Sequence, residues 1–171
     1  MHLPLNRRDF LASAMSGLAG LSLTSTAATH AFARQGKPTL ATTKLADNIV
    51  QIAGAGGNVL AVTGTDGVLL VNAGLQDRGA DLLEAGVGSS SVKRVQAVFN
   101  TDWRPENTGS NEMFRNSGAK VISHENTKLW LGTDILVEWE NRTYPARPKN
   151  ALPNQTFYTT GKMTFGKHAD A

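Results

Sequence analysis

Residues Asn100 to Asn111 read N-T-D-W-R-P-E-N-T-G-S-N, and the fold of the chain is decided around them. The stretch follows an apolar run, Val95 to Phe99, and leads into a polar segment where Ser110 or Asn111 suits a helix N-cap. A strand ending in a polar loop that opens a helix is where α/β proteins commonly display reactive groups. Four side chains of the loop are candidates for chemistry: Asp102, Arg104, Glu106 and Asn107.

Upstream, Asn48 to Ala53 and Val59 to Thr63 read as two strands joined by a turn at Gly54-Ala55-Gly56-Gly57-Asn58. This glycine cluster lacks the spacing of a phosphate-binding loop, and a hairpin turn explains it. Thr65-Asp66-Gly67 is a second turn. Val68 to Val71 is continuously apolar, which predicts a strand buried on both faces. Asp77 to Ala85 predicts a short helix closed by Gly86 and Gly88, with Ser89 to Ser91 as loop. Downstream, a helix with Met113 and Phe114 ends near Gly118, Ala119 to Ser123 is a strand, and Glu125 to Leu131 is a helix stopped at Gly132. Asp134 to Asn154 reads as an irregular excursion. Gln155 to Thr159 and Lys162 to Phe165 read as a final hairpin about Thr160-Gly161. A meander of strands followed by strand–helix–strand–helix predicts an α/β fold with a mixed sheet.

The frame of the central loop resembles T-H-x-H-x-D-H-x-G-x-N, the metal-binding loop of the metallo-β-lactamase superfamily. The resemblance extends outward. Asp47-Asn48-Ile49-Val50 looks like the family's opening strand and Gly57-Asn58 like its next turn. Gly67 to Gly74 (G-V-L-L-V-N-A-G) looks like D-G-x-x-L-I-D-x-G, and Gly118 to Glu125 (G-A-K-V-I-S-H-E) like G-A-x-V-x-x-H-E. It covers about Ala46 to Phe165. It implies the N-terminal half of an αββα sandwich, a mixed sheet with flanking helices.

The resemblance implies a metal-dependent hydrolase in which zinc activates a water against an ester, amide, thioester or lactam. Here Asp102 and Arg104 stand at the first two histidines, Glu106 at the aspartate and Asn107 at the last histidine. A guanidinium has no lone pair to donate and brings a positive charge to the place of a dication. The aspartate of D-x-G, which steadies the loop, is Asn72 here. The later ligands of the family come from a second half that the chain does not match, so the sequence reads as a truncated, metal-site-degenerate homologue, a pseudoenzyme with no confident catalytic residue. No metal site and no cofactor are predicted for this chain, although zinc is the family's cofactor. Two alternatives stand beside this. One is a hydrolase active only with missing sequence or a partner. The other is a binding module that holds a small anionic ligand through Arg104.

The remaining features are weaker. Ser123, His124 and Asp134 carry the letters of a triad without a nucleophile elbow. His124 reads as a hydrogen-bonded histidine at a strand end. Trp103, Trp130 and Trp139 read as packing or as the lining of a groove. At 171 residues, 40% hydrophobic and 18% charged, the chain suits one globular domain, and without cysteine it has neither disulfides nor thiolate metal sites.

Residues 1–33 read as a twin-arginine signal peptide. Arg7-Arg8-Asp9-Phe10-Leu11 matches R-R-x-F-L, and Ala31-Phe32-Ala33 forms an A-x-A cleavage site. The apolar run from Phe10 to Leu23 is too short for a bilayer span, which needs about 20 residues. This predicts a periplasmic or extracellular protein without a membrane anchor after cleavage. A flexible lead-in at 34–45, a domain at 46–166 and a tail at 167–171 follow. The basic residues are scattered, which gives no basis for a nucleic-acid partner. A half sandwich leaves one sheet face bare, and this predicts a homodimer or a partner chain over that face.

Overall fold

The computed structural model describes residues 37–88 and 94–165. The signal segment, the loop serines Ser89 to Ser91, His168 and the tail lie outside the described residues. Seven strands form one mixed sheet in the order β1-β2-β3-β4-β5-β6-β9. Strands β1 (Ala41–Ala46), β2 (Ile49–Ala53), β3 (Val59–Gly64) and β4 (Gly67–Val71) make an antiparallel meander. Strands β5 (Val95–Phe99), β6 (Lys120–His124) and β9 (Gln155–Phe157) add in parallel beyond β4. The helices are α1 (Gly79–Val87), α2 (Pro105–Thr108), α3 (Asn111–Asn116) and α4 (Glu125–Leu131). The expected α/β class with a mixed sheet is therefore the observed one. Among the described residues no helix is long and apolar enough to cross a membrane.

Register places Val50, Ala61, Leu70, Val98 and Val121 in one row across five strands. This row joins Leu82 of α1 and Phe114 of α3 in the core. Leu70, Leu82 and Phe114 are fully buried, each stabilising the fold by about 1.5–3 kcal/mol. The opposite face carries Leu60, Val62, Leu69, Val71 and Phe99, all only partly buried. Continuous apolarity in β4 thus marks one core face and one half-covered face, where burial on both was expected.

Other local expectations shift for identifiable reasons. Residues 41–45, read as lead-in, join Ala46 in edge strand β1 because their backbone completes the hairpin with β2. Gly86 does not end α1. It lies inside the helix on the face toward β3, where a Cβ would stand 3.4 Å from the Ala61 Cβ, in ordinary contact. Gly88 is the C-cap. The irregular excursion contains an ordered hairpin, β7 (Ile135–Val137) and β8 (Arg142–Tyr144), turned by Asn141 in the left-handed region at φ 46°. Asparagine is among the few residues that tolerate that conformation.

The final hairpin does not form. Gln155–Phe157 instead pairs with the open edge of β6, where Asn154 N–H donates to Val121 O at 2.9 Å and Val121 N–H to Asn154 Oδ1 at 2.8 Å. An existing sheet edge offers preformed donors and acceptors, which an isolated two-stranded hairpin does not. Phe165 packs its ring against Gly64 instead.

Candidate functional site

The loop after β5 is held by a lattice of side-chain amides. At the end of β4, Asn72 adopts φ 72°, and its buried Oδ1 accepts from Thr101 N–H at 3.0 Å and from Thr101 Oγ1–H at 2.9 Å. The neutral amide supplies an acceptor to the loop without a negative charge. Asn100 and Asn111, 6% and 0% exposed, exchange hydrogen bonds at 3.0 and 2.8 Å and so tie the two ends of the loop together. Asn100 Nδ2 also reaches Asn107 O, and Asn111 Nδ2 reaches Ala151 O. Two glycines allow close approach. A Cβ on Gly57 would stand 2.9 Å from Asn107 Oδ1. One on Gly109 would meet backbone, Leu75 C at 2.6 Å and Gly74 O at 2.8 Å. The expected N-cap, Ser110, precedes α3 but spends its hydroxyl on Leu75 O at 2.5 Å.

The four motif positions share one loop, and three of them, Asp102, Arg104 and Asn107, are engaged by neighbours. Asp102 accepts from Arg104 N–H through Oδ1 and from Asn107 Nδ2–H through Oδ2, both at 2.8 Å. Arg104, the expected anion anchor, turns outward and pairs with Glu140 at 3.1 Å. Glu140 also accepts from the Tyr144 hydroxyl at 2.6 Å. That phenol hydrogen bond, followed by the Arg104 contact, holds the Glu140 carboxyl below the usual carboxylate range. The same bond raises Tyr144, and Glu140 raises Arg104. The Glu106 carboxylate makes no hydrogen bond among the described residues and acts on Arg104 through its charge.

These residues do not fit zinc. Both Asp102 oxygens accept hydrogen bonds, the Asn107 amide points its donor at them, and the Arg104 side chain has no lone pair to offer. Among the described residues no three His, Cys, Asp or Glu side chains gather as a metal would require. His124 is structural, as expected: Nδ1 accepts from Asn126 N–H at 3.1 Å and caps α4, while Nε2–H donates to Tyr158 O at 2.7 Å. Ser123 donates to His124 O and Asp134 accepts from Ala146 N–H, so the triad letters do not assemble.

No protein-family profile and no curated protein matches the chain. Solved structures do. The subclass B3 metallo-β-lactamase BJP-1 of Bradyrhizobium japonicum is similar at 17% identity with a TM-score of 0.59, over 78% of this chain and 51% of that one. A metallo-β-lactamase from Pontibacter korlensis matches at 20% identity and TM-score 0.53, over 74% and 56%. The chain has the metallo-β-lactamase fold. A third such structure, from Cronobacter sakazakii and described as a HARLDQ motif mutant, matches at 12% identity and TM-score 0.57, over 73% and 50%. The chain spans about half the length of the solved structures it matches. At these identities the likeness concerns the fold and leaves the chemistry to the residues present.

Sequence reading missed the partners that the excursion brings back to the loop. Glu140 and Tyr144 meet Arg104. Trp103 packs against Trp130 in a tilted pair, with centroids 5.7 Å apart, and meets Tyr144 edge-on at 5.3 Å. Trp139, at 82% exposed, takes no part. The available signal was Asn141, a turn former between I-L-V and R-T-Y.

Proposed function

We propose that this is an exported metallo-β-lactamase-like protein whose former metal loop is a structural joint, without hydrolase activity of its own. The observation that carries the reading is Asp102, whose two oxygens are both taken up by Arg104 N–H and Asn107 Nδ2–H. The carboxylate is oriented by its own loop, and among the described residues no His, Cys, Asp or Glu pair joins it to complete a metal's ligand set. Metal analysis of the purified protein, with a lactam and an ester assay in added Zn²⁺, tests it. Stoichiometric zinc or turnover would overturn it.

A second reading has one supporting observation. The letters H-A-R-L-D-Q, named for the Cronobacter sakazakii protein, also place arginine third and a side-chain amide sixth, as D-W-R-P-E-N does. On that reading the chain is a metal-dependent hydrolase that needs further sequence or a partner, and zinc binding appears only when the partner is added.

Export rests on Arg7, Arg8 and the Ala31-Phe32-Ala33 site. It predicts a periplasmic or extracellular mature chain beginning at Arg34, abolished by Arg7→Lys with Arg8→Lys. The partly exposed apolar residues on the sheet face of Leu60, Val62 and Phe99 support self-association through that face.

A further inference from the structure

A pocket of about 180 Å³ lies on the Trp103 side of the loop, between α2, the end of α4 and the β7–β8 hairpin. Trp103, Trp130 and Tyr144 form its aromatic walls, and Leu131 and Ile135 add aliphatic surface. Two arginines, Arg142 and Arg147, line it, and no acidic side chain does. The volume matches one aromatic ring with a small substituent: an apolar cavity of about 150 Å³ takes up benzene.

Charge then selects among the ring-shaped ligands. Three aromatic faces would ordinarily suit a cation, but two guanidiniums repel one. Arg142 lies over the Tyr144 ring, 4.5 Å from its centroid, which leaves the edge of its planar fork open. Arg147 donates to Gly109 O at 3.1 Å through one nitrogen. Among the described residues neither arginine has a carboxylate at salt-bridge distance, although the charge of Arg142 is felt by Glu140. The Thr108 and Thr133 hydroxyls already donate to backbone carbonyls. The open donors at the pocket are therefore guanidinium N–H groups, which bind carboxylates in a planar, bidentate manner.

We propose that this pocket binds a small aromatic carboxylate, with the ring resting against the contiguous Trp103, Trp130 and Tyr144 cluster and the carboxylate on Arg142 and Arg147. The pocket shares Trp103 and Pro105 with the loop, but its anchors Arg142 and Arg147 make no hydrogen bond to Asp102 or Asn107, so metal analysis and ligand titration test different groups.

Titrating the whole purified protein with benzoate, benzylamine and benzyl alcohol, followed by tryptophan fluorescence and calorimetry, tests it. Saturable quenching by benzoate at one site, at least about tenfold tighter than by either analogue, is expected, since charge-assisted hydrogen bonds supply that much discrimination. Arg142→Gln is expected to weaken benzoate about tenfold, and Trp130→Ala, at a 47% exposed position, to abolish most of the quenching. Equal response to benzoate and benzylamine, or no saturation by benzoate, overturns the proposal without any variant. Unchanged benzoate affinity in a folded Arg142→Gln overturns the assigned anchor.

Discussion

Asn100 and Asn111 close the loop on itself: each side-chain amide donates to the other's carbonyl, at 3.0 and 2.8 Å, in a place nearly sealed from water. In a dry setting a reciprocal amide pair is strong while intact and costly when halved. Asn111→Ala removes the donor to Asn100 Oδ1 and to the Ala151 carbonyl, while Asn100 Nδ2 keeps only Asn107 O. Denaturant unfolding is expected to show a loss of about 1–3 kcal/mol. The double variant Asn100→Ala/Asn111→Ala should lose less than the sum of the two single changes. Strict additivity would mean that the pair does not act as a unit.

Gly109 and Gly118 make a contrast. A Cβ at Gly109 meets the backbone of Gly74 and Leu75, which cannot swing aside, whereas one at Gly118 meets open space at φ 89°. Gly118→Ala is expected to cost about 1 kcal/mol from backbone strain. Gly109→Ala should cost about 2–3 kcal/mol by overpacking. Thermal melts of the two variants decide the order, and a larger loss for Gly118→Ala would contradict the close approach.

The Arg104–Glu140–Tyr144 chain predicts a pH dependence. The folded-state pKa of Glu140 is lowered, first by the Tyr144 hydrogen bond and then by Arg104. Its contribution is present above the ordinary glutamate value and is lost as pH falls through the lowered one. Tyr144 is raised, first by the same bond, so its contribution is present below the ordinary phenol value and fades as pH rises through the raised one. Glu140→Gln should flatten the melting-temperature profile at both ends, by little, because the chain lies at the surface. Parallel profiles for the two proteins would remove the assignment.

Leu60 lies on the half-covered sheet face, beside Val71 in register. If copies associate through that face, Leu60→Glu buries a charge in the interface and shifts the protein toward monomer. Light scattering at several concentrations is the measurement. A wild-type protein that stays monomeric throughout ends the self-association proposal.

Much of the sheet was legible because its signals are local. Glycine turns at Gly54, Gly56 and Gly67 take positive φ in the structure, and apolar runs such as Val95–Phe99 have one way to be buried. The likeness of Gly67–Gly74 and Gly118–Glu125 to family segments placed β4 and β6 correctly. Where two local outcomes competed, reading failed. Gln155–Phe157 had apolar and turn residues consistent with a hairpin, and only the open edge of β6 decided otherwise.

By itself, then, the sequence determined an α/β chain resembling the metallo-β-lactamase fold and put Asp102, Arg104 and Asn107 in the loop after β5, because residue identity and hydrophobic period are carried locally. The tertiary structure decided what those residues do. Asp102 closes on its own loop, Asn100 finds Asn111, Glu140 returns across 36 positions to Arg104, and Trp103 gains Trp130 and Tyr144. Such contacts depend on chain segments far apart in sequence meeting at one point, and hydrophobic periodicity carries no record of which polar groups will share it.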